Sequence, residues 1–184
     1  VVLLHPATGS MRIWSYQQPV LVRAGYRVIA YSRRGYGKSD PVPREDPGTA
    51  AGDLRELLAH LGITRCHLVG SAAGGGVAAD FALSYPDAVR SLVLACAVGG
   101  VEDKAYLDLA GRLTIQNFDN LPAEVREVST AYRAAHPEGT RRWAELERAA
   151  VTGNRFGQKP RNVITLAGLA NMRVPTLVRS EEHT

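Results

Sequence analysis

Short apolar runs and helical stripes alternate along the first half of this 184-residue chain. The run at 1–4 is β-branched and large, and His5-Pro6-Ala7-Thr8-Gly9 bounds it, which predicts a buried strand entering a loop. Ile13, Trp14, Gln17, Leu21 and Val22 recur at helical spacing as far as Ala24, and Gly25 ends that helix. Arg27-Val28-Ile29-Ala30-Tyr31 predicts a second buried strand. It feeds a glycine-punctuated loop over 32–40, and Pro41, Pro43 and Pro47 keep the following stretch irregular.

Leu54, Leu57, Leu58 and Leu61 then mark one face of a helix that stops at Gly62. The run 66–69 predicts a third strand, followed by a corner of small residues and a helix to about Tyr85-Pro86. Residues 91–98 predict a fourth strand. Strand and helix alternate throughout, so the expected fold is α/β, a mostly parallel sheet with helices on both faces.

The pattern changes over 99–172. Helical stripes recur at 102–113, 122–135, 138–150 and 161–171, broken by Pro122, Pro137, Gly153, Gly157 and Pro160, with no strong strand signal. Val174-Pro175-Thr176-Leu177-Val178 predicts a return to the sheet as another buried strand. The expected organisation is a core over 1–98, a helical insertion over 99–172, a return over 173–178 and a polar tail over 179–184. The tail, Arg179-Ser180-Glu181-Glu182-His183-Thr184, reads as a translated sequencing adapter and is set aside from fold reasoning. With an abrupt start on Val1-Val2 and no methionine, the chain is expected to be truncated at both ends.

Composition narrows the classes. Hydrophobic residues make up 45% and charged residues 22%, ordinary values for a soluble globular domain. The net charge of +4 comes from scattered arginines. Arg33-Arg34 and Arg141-Arg142 are pairs, not a basic stripe with interleaved aromatics, so no nucleic-acid partner is expected. No apolar run reaches the roughly 18 residues a membrane span needs, so no membrane partner is expected either. Cys66 and Cys96 sit in strand-like runs and read as reduced, buried small hydrophobes, which fits a cytoplasmic location. Trp14, Phe118, Trp143 and Phe156 read as core or surface before pocket. No metal or cofactor is expected.

The corner carries the chemistry. His67-Leu68-Val69-Gly70-Ser71-Ala72-Ala73-Gly74-Gly75-Gly76 is the strand–turn–helix setting of a G-x-S-x-G nucleophile, but Ala72 stands where that pattern has serine. A dinucleotide site is the competing reading of these glycines. Their spacing is not G-x-G-x-x-G, and Asp87 follows a helix end, not a second strand tip.

Four features in order resemble the α/β-hydrolase fold superfamily: the strand into His5-Pro6-Ala7-Thr8-Gly9; Arg33-Arg34-Gly35-Tyr36-Gly37-Lys38-Ser39-Asp40; the helix beginning Asp53-Leu54; and the corner with Tyr85-Pro86 behind it. The resemblance runs from the third to the seventh strand of that family's sheet. It implies that 99–172 is a cap over a substrate pocket, that Gly70, Gly74 and Gly75 shape a nucleophile elbow, and that the backbone N–H groups of Ala7 and Ala73 form an oxyanion hole. His5 reads as a residue that shapes this loop before it reads as a base. Alanine has no group to attack a carbonyl, so acyl-enzyme chemistry is excluded at position 72. Ser71 is the weaker alternative nucleophile, because Ala72, not Ser71, is flanked two residues away by Gly70 and Gly74. The family's acid and histidine follow its seventh and eighth strands, beyond Val178, which makes Glu181, Glu182 and His183 accidental.

Two functions follow from the resemblance. One is an enzyme that acts on a small ester, lactone or carbon–carbon bond substrate by histidine–carboxylate base chemistry and an oxyanion hole. The alternative is a small-molecule binder that has lost the chemistry. An inactive variant of an ordinary serine hydrolase comes third.

Overall fold

A computed structural model of the chain describes residues 1–97, 100–151 and 157–180. Five parallel strands form one sheet in the order β2-β1-β3-β4-β5: β1 (Val2–Leu4), β2 (Ile29–Ala30), β3 (Cys66–Ser71), β4 (Val89–Ala95) and β5 (Thr176–Arg179). Registers run Val2↔Leu68 and Leu4↔Gly70 between β1 and β3, and Ser71↔Ala95 between β3 and β4. The carboxyl ends of these three strands therefore lie side by side.

Chain direction reverses at the centre of the sheet. From β1 the chain moves outward to β2, whereas from β3 it moves the other way to β4 and β5. The gap between the ends of β1 and β3 is thus a topological switch point, where open parallel sheets place their ligand crevice. His5 and Ala72, the residues that follow or nearly follow these strands, stand at that gap.

The eight helices among the described residues are α1 (Gln17–Arg23), α2 (Ala50–His60), α3 (Ala73–Ser84), α4 (Lys104–Leu113), α5 (Ala123–Glu127), α6 (Thr130–Ala135), α7 (Pro137–Arg148) and α8 (Leu166–Ala170). Thr49 caps α2 by accepting from Gly52 N–H at 2.9 Å. Leu54 and Leu58 on one face of α2 and Phe81 on α3 are fully buried against Val2, Leu4, Leu68 and Leu92. Side chains of that size each contribute roughly 1.5–3 kcal/mol on burial. This layer fixes α3, and so its first turn, against the sheet.

Several elements differ from the sequence expectation. The first predicted helix divides into a 3-10 turn over Met11–Ser15 and α1, and Val22 is exposed. The second strand shortens to two residues. In β3 burial alternates, with Cys66, Leu68 and Gly70 buried under α2 and α3 and the other face half-covered. The predicted buried strand at 174–178 is β5, shifted to Thr176–Arg179 and exposed at the sheet's edge, where it has a strand neighbour on one side only. Cys96 is not a buried strand residue. β4 ends at Ala95, and Cys96 is exposed with φ +50°, turning the chain out of the sheet.

The described residues after β4 are mostly helical, with the stripe at 122–135 divided into α5 and α6 around Ser129, and the stripe at 161–171 reduced to α8 because Ile164 bridges Val101. It is tied to the core at separated points. Tyr36 bridges Val151, Gly37 N–H donates to Ala150 O at 2.7 Å, and Gln158 Nε2 donates to Pro47 O and to Asp53 Oδ2 at 2.8 and 2.9 Å. Asp53 also pairs with Arg34 at 2.8 Å. Val98, Gly99, Gly153, Phe156 and the tail residues Glu181, Glu182 and His183 lie outside the described residues.

Candidate active site

The turn between β3 and α3 is built by what cannot fit there. A Cβ on Gly74 would overlap the carbonyl oxygen of Leu4, and one on Gly75 would overlap the Ala97 side chain. A Cβ on Gly70 would sit 2.6 Å from Gly75 Cα. Glycine inside a helix costs about 1 kcal/mol relative to alanine. Here it lets the first turn of α3 wedge between the ends of β1 and β4.

Ala72 links strand to helix with φ +46° and ψ −117°, a conformation that residues with a side chain rarely adopt. Its N–H donates to Ala95 O at 3.0 Å, and its carbonyl accepts from Gly75 N–H at 2.9 Å. Both neighbouring elements therefore pin the strained residue. Ser71 remains the last residue of β3, paired with Ala95.

Ala72 and Ala73 line a cavity of about 440 Å³, together with Arg33, Cys96, Gln158 and Lys159 among others. Ser71 is not among the lining residues, nor are Trp14, Phe118 and Trp143. A larger cavity, about 740 Å³, opens beyond β2 around Tyr31, Lys38 and Asp53 and includes no residue of the turn. Volume alone would favour it, but the strained turn belongs to the smaller one. Among the described residues the N–H groups of Ala73, the first residue of α3, and of Ala7, in the loop after β1, have no hydrogen-bond partner. The N-terminus of α3 adds the positive end of a helix dipole at the same place.

His5 is fully buried with both ring nitrogens engaged. Nε2 accepts from Arg33 N–H at 3.0 Å, which puts the ring proton on Nδ1, donated to Pro6 O at 2.8 Å. Burial, reinforced by the Arg33 charge, pushes its pKa down to about 4. The ring stands edge-on to Tyr36 at 4.7 Å. A neutral imidazole so occupied has no lone pair to offer a substrate.

Arg33 and Asp80 are the contacts that sequence reading did not single out. Arg33 Nη2 donates to His5 O and Pro6 O at 3.1 and 3.4 Å, bracing the loop that leads to Ala7. Asp80 on α3 is buried and accepts from Arg161 N–H, Asn162 N–H and Asn162 Nδ2. A charged residue inside the apolar stripe of α3 was the available signal for Asp80. The doubled Arg33-Arg34 carried no mark of which arginine turns inward.

These features define a class. The chain belongs to the alpha/beta hydrolase fold family, whose model matches residues 1–168. It is 44% identical over 98 residues to a protein of Variovorax paradoxus named as a carbamate hydrolase, a match covering 51% of this chain and 36% of that one. It is also 42% identical over 101 residues to a 2-hydroxy-6-oxononadienedioate/2-hydroxy-6-oxononatrienedioate hydrolase of Paraburkholderia phymatum, covering 51% and 34%. The matched stretch thus spans about a third of the length of these curated relatives. Among solved structures, a hydrolase from Pseudomonas aeruginosa superposes with a TM-score of 0.73 at 27% identity, over 96% of this chain and 69% of that one. Among the described residues no helix is long and apolar enough to cross a membrane.

Proposed function

We propose that this chain carries the elbow, oxyanion loop and cap of an enzyme that hydrolyses a small ester, lactone or carbon–carbon bond substrate without a serine nucleophile. Ala72 carries this reading. It holds the strained backbone of a nucleophile elbow at the wall of a cavity, and its side chain is a methyl group that cannot attack. The N–H groups of Ala7 and Ala73 serve as the oxyanion donors, helped by the dipole of α3. Residues 99–172 form the cap, and a histidine–carboxylate pair from chain outside these 184 residues acts as general base on water or substrate. The named activities of the relatives support hydrolysis of a small molecule.

General acid–base catalysis contributes about 10²–10⁴-fold, so turnover should be modest. The second reading, a small-molecule binder, draws on the same methyl group: a pocket kept and a reaction lost. The complete gene, expressed and assayed on an ester and lactone panel beside Ala72→Ser, separates them. The enzyme reading expects measurable turnover by the unsubstituted protein. Ligand binding with no turnover on any substrate would leave the binder.

A further inference from the structure

We propose that Arg33 receives a carboxylate of the ligand held in the cavity beside Ala72, so that this site selects anionic substrates. The inference rests on the reading that this cavity is the ligand site and adds the charge of what it takes. Arg33 lines the cavity wall, and its guanidinium is withdrawn from water far enough that burial pushes its pKa down. Everything that holds it is neutral. Nη2 donates to the carbonyls of His5 and Pro6, and the Tyr36 ring lies 4.9 Å beneath its central carbon. Nε is buried with no hydrogen-bond partner. Carbonyls and a ring orient a guanidinium but do not neutralise it.

No carboxylate among the described residues does so either. The ion pairs there use Arg34, Lys104, Arg126 and Arg141, not Arg33. Asp53 is taken by Arg34 and Gln158, and Asp80, the acid on the cavity wall, accepts three N–H bonds from Arg161 and Asn162. Lys159 adds a second, exposed cation to the wall. A buried cation without a counter-ion is costly, and a carboxylate that meets a guanidinium forms a charge-assisted pair about twice as strong as a neutral one. A ligand with an acid group supplies what the site lacks; a neutral ester does not.

Calorimetric titration of the chain with hexanoate and with hexanamide at pH 7 tests this, since the two differ in charge but hardly in shape. Hexanoate is expected to bind at least about tenfold tighter, the size of one charge-assisted hydrogen bond. The preference should persist in Arg33→Lys and Lys159→Met and vanish in Arg33→Met. Because Arg33 also braces the loop at His5, an unfolded Arg33→Met leaves the decision to the other proteins. A preference present in both the unsubstituted chain and Lys159→Met then supports Arg33. Equal binding of the two probes overturns the proposal while the pocket reading stands, and a preference abolished by Lys159→Met overturns it in favour of the lysine. Failure of both probes to bind removes the pocket reading as well.

Discussion

Asn162 closes on Asp80 from 82 residues away, its backbone N–H and its Nδ2 both donating to Oδ1 of the same carboxylate, at 2.9 and 2.8 Å. Arg161 N–H takes Oδ2 at 2.8 Å, and Asn162 Nδ2 also reaches Ser84 Oγ at 2.7 Å. The carboxylate of Asp80, a residue 3% exposed, is thereby satisfied entirely by the segment between α7 and α8. The helix that follows Ala72 and the stretch that contributes Gln158, Lys159 and Pro160 to the cavity are joined by one buried charge.

Asn162→Ala removes the Nδ2 bonds to Asp80 and Ser84 and leaves the Asp80 carboxylate two of its three donors. Loss of a buried charge-assisted bond costs about 1.5–3 kcal/mol, which a shift in the denaturant midpoint would register. Amide exchange at 161–164 should quicken in the same variant. An unchanged midpoint would mean that the segment is held by its other contacts.

The strain at Ala72 has a thermodynamic signature. Glycine accepts φ +46° without a Cβ penalty, so Ala72→Gly should stabilise the fold by about 1 kcal/mol, although glycine at most sites destabilises. Thermal unfolding checks the sign. A destabilised Ala72→Gly would argue that the turn is not strained. Gly74→Ala, by contrast, drives a methyl group into the Leu4 carbonyl and should destabilise by about 1–3 kcal/mol, read in the same experiment.

His5 makes stability depend on acid. Its folded pKa, about 4, lies below the ordinary 6.5, so the unfolded chain binds a proton that the folded one refuses between those values. The contribution is complete above pH 6.5 and is lost as pH falls towards 4, about 3 kcal/mol across the window. Denaturant midpoints measured from pH 7 to pH 4 should fall for the unsubstituted chain. In His5→Asn, less stable at neutral pH, that component of the slope should be missing.

The parallel sheet was legible because strand and helix alternate along the chain, and the continuous apolar run at 1–4 is fully buried over Val2–Leu4. The turn was legible from Gly70, Gly74 and Gly75, each placed where a Cβ would strike backbone or a neighbouring side chain. Edges were not. Val22, Leu177 and Val178 read as core by composition, yet they are exposed, because burial depends on which neighbours cover an edge and apolar character alone does not say. Cys96 was misread because the strand's apolar run outlasts its ladder by more than one residue. Asp80 and Arg33 were missed as site-forming residues because their partners, Asn162, His5 and Pro6, come from distant or unmarked stretches of chain.

The central claim is that a hydrolase-type elbow is centred on Ala72 and holds no nucleophile. Intact-mass measurement after exposure to a serine-directed fluorophosphonate tests it most directly, run on the unsubstituted protein and on Ala72→Ser. No adduct is expected on the unsubstituted protein, and a single adduct, mapped to position 72, on Ala72→Ser. An adduct on the unsubstituted protein at Ser71 would contradict it.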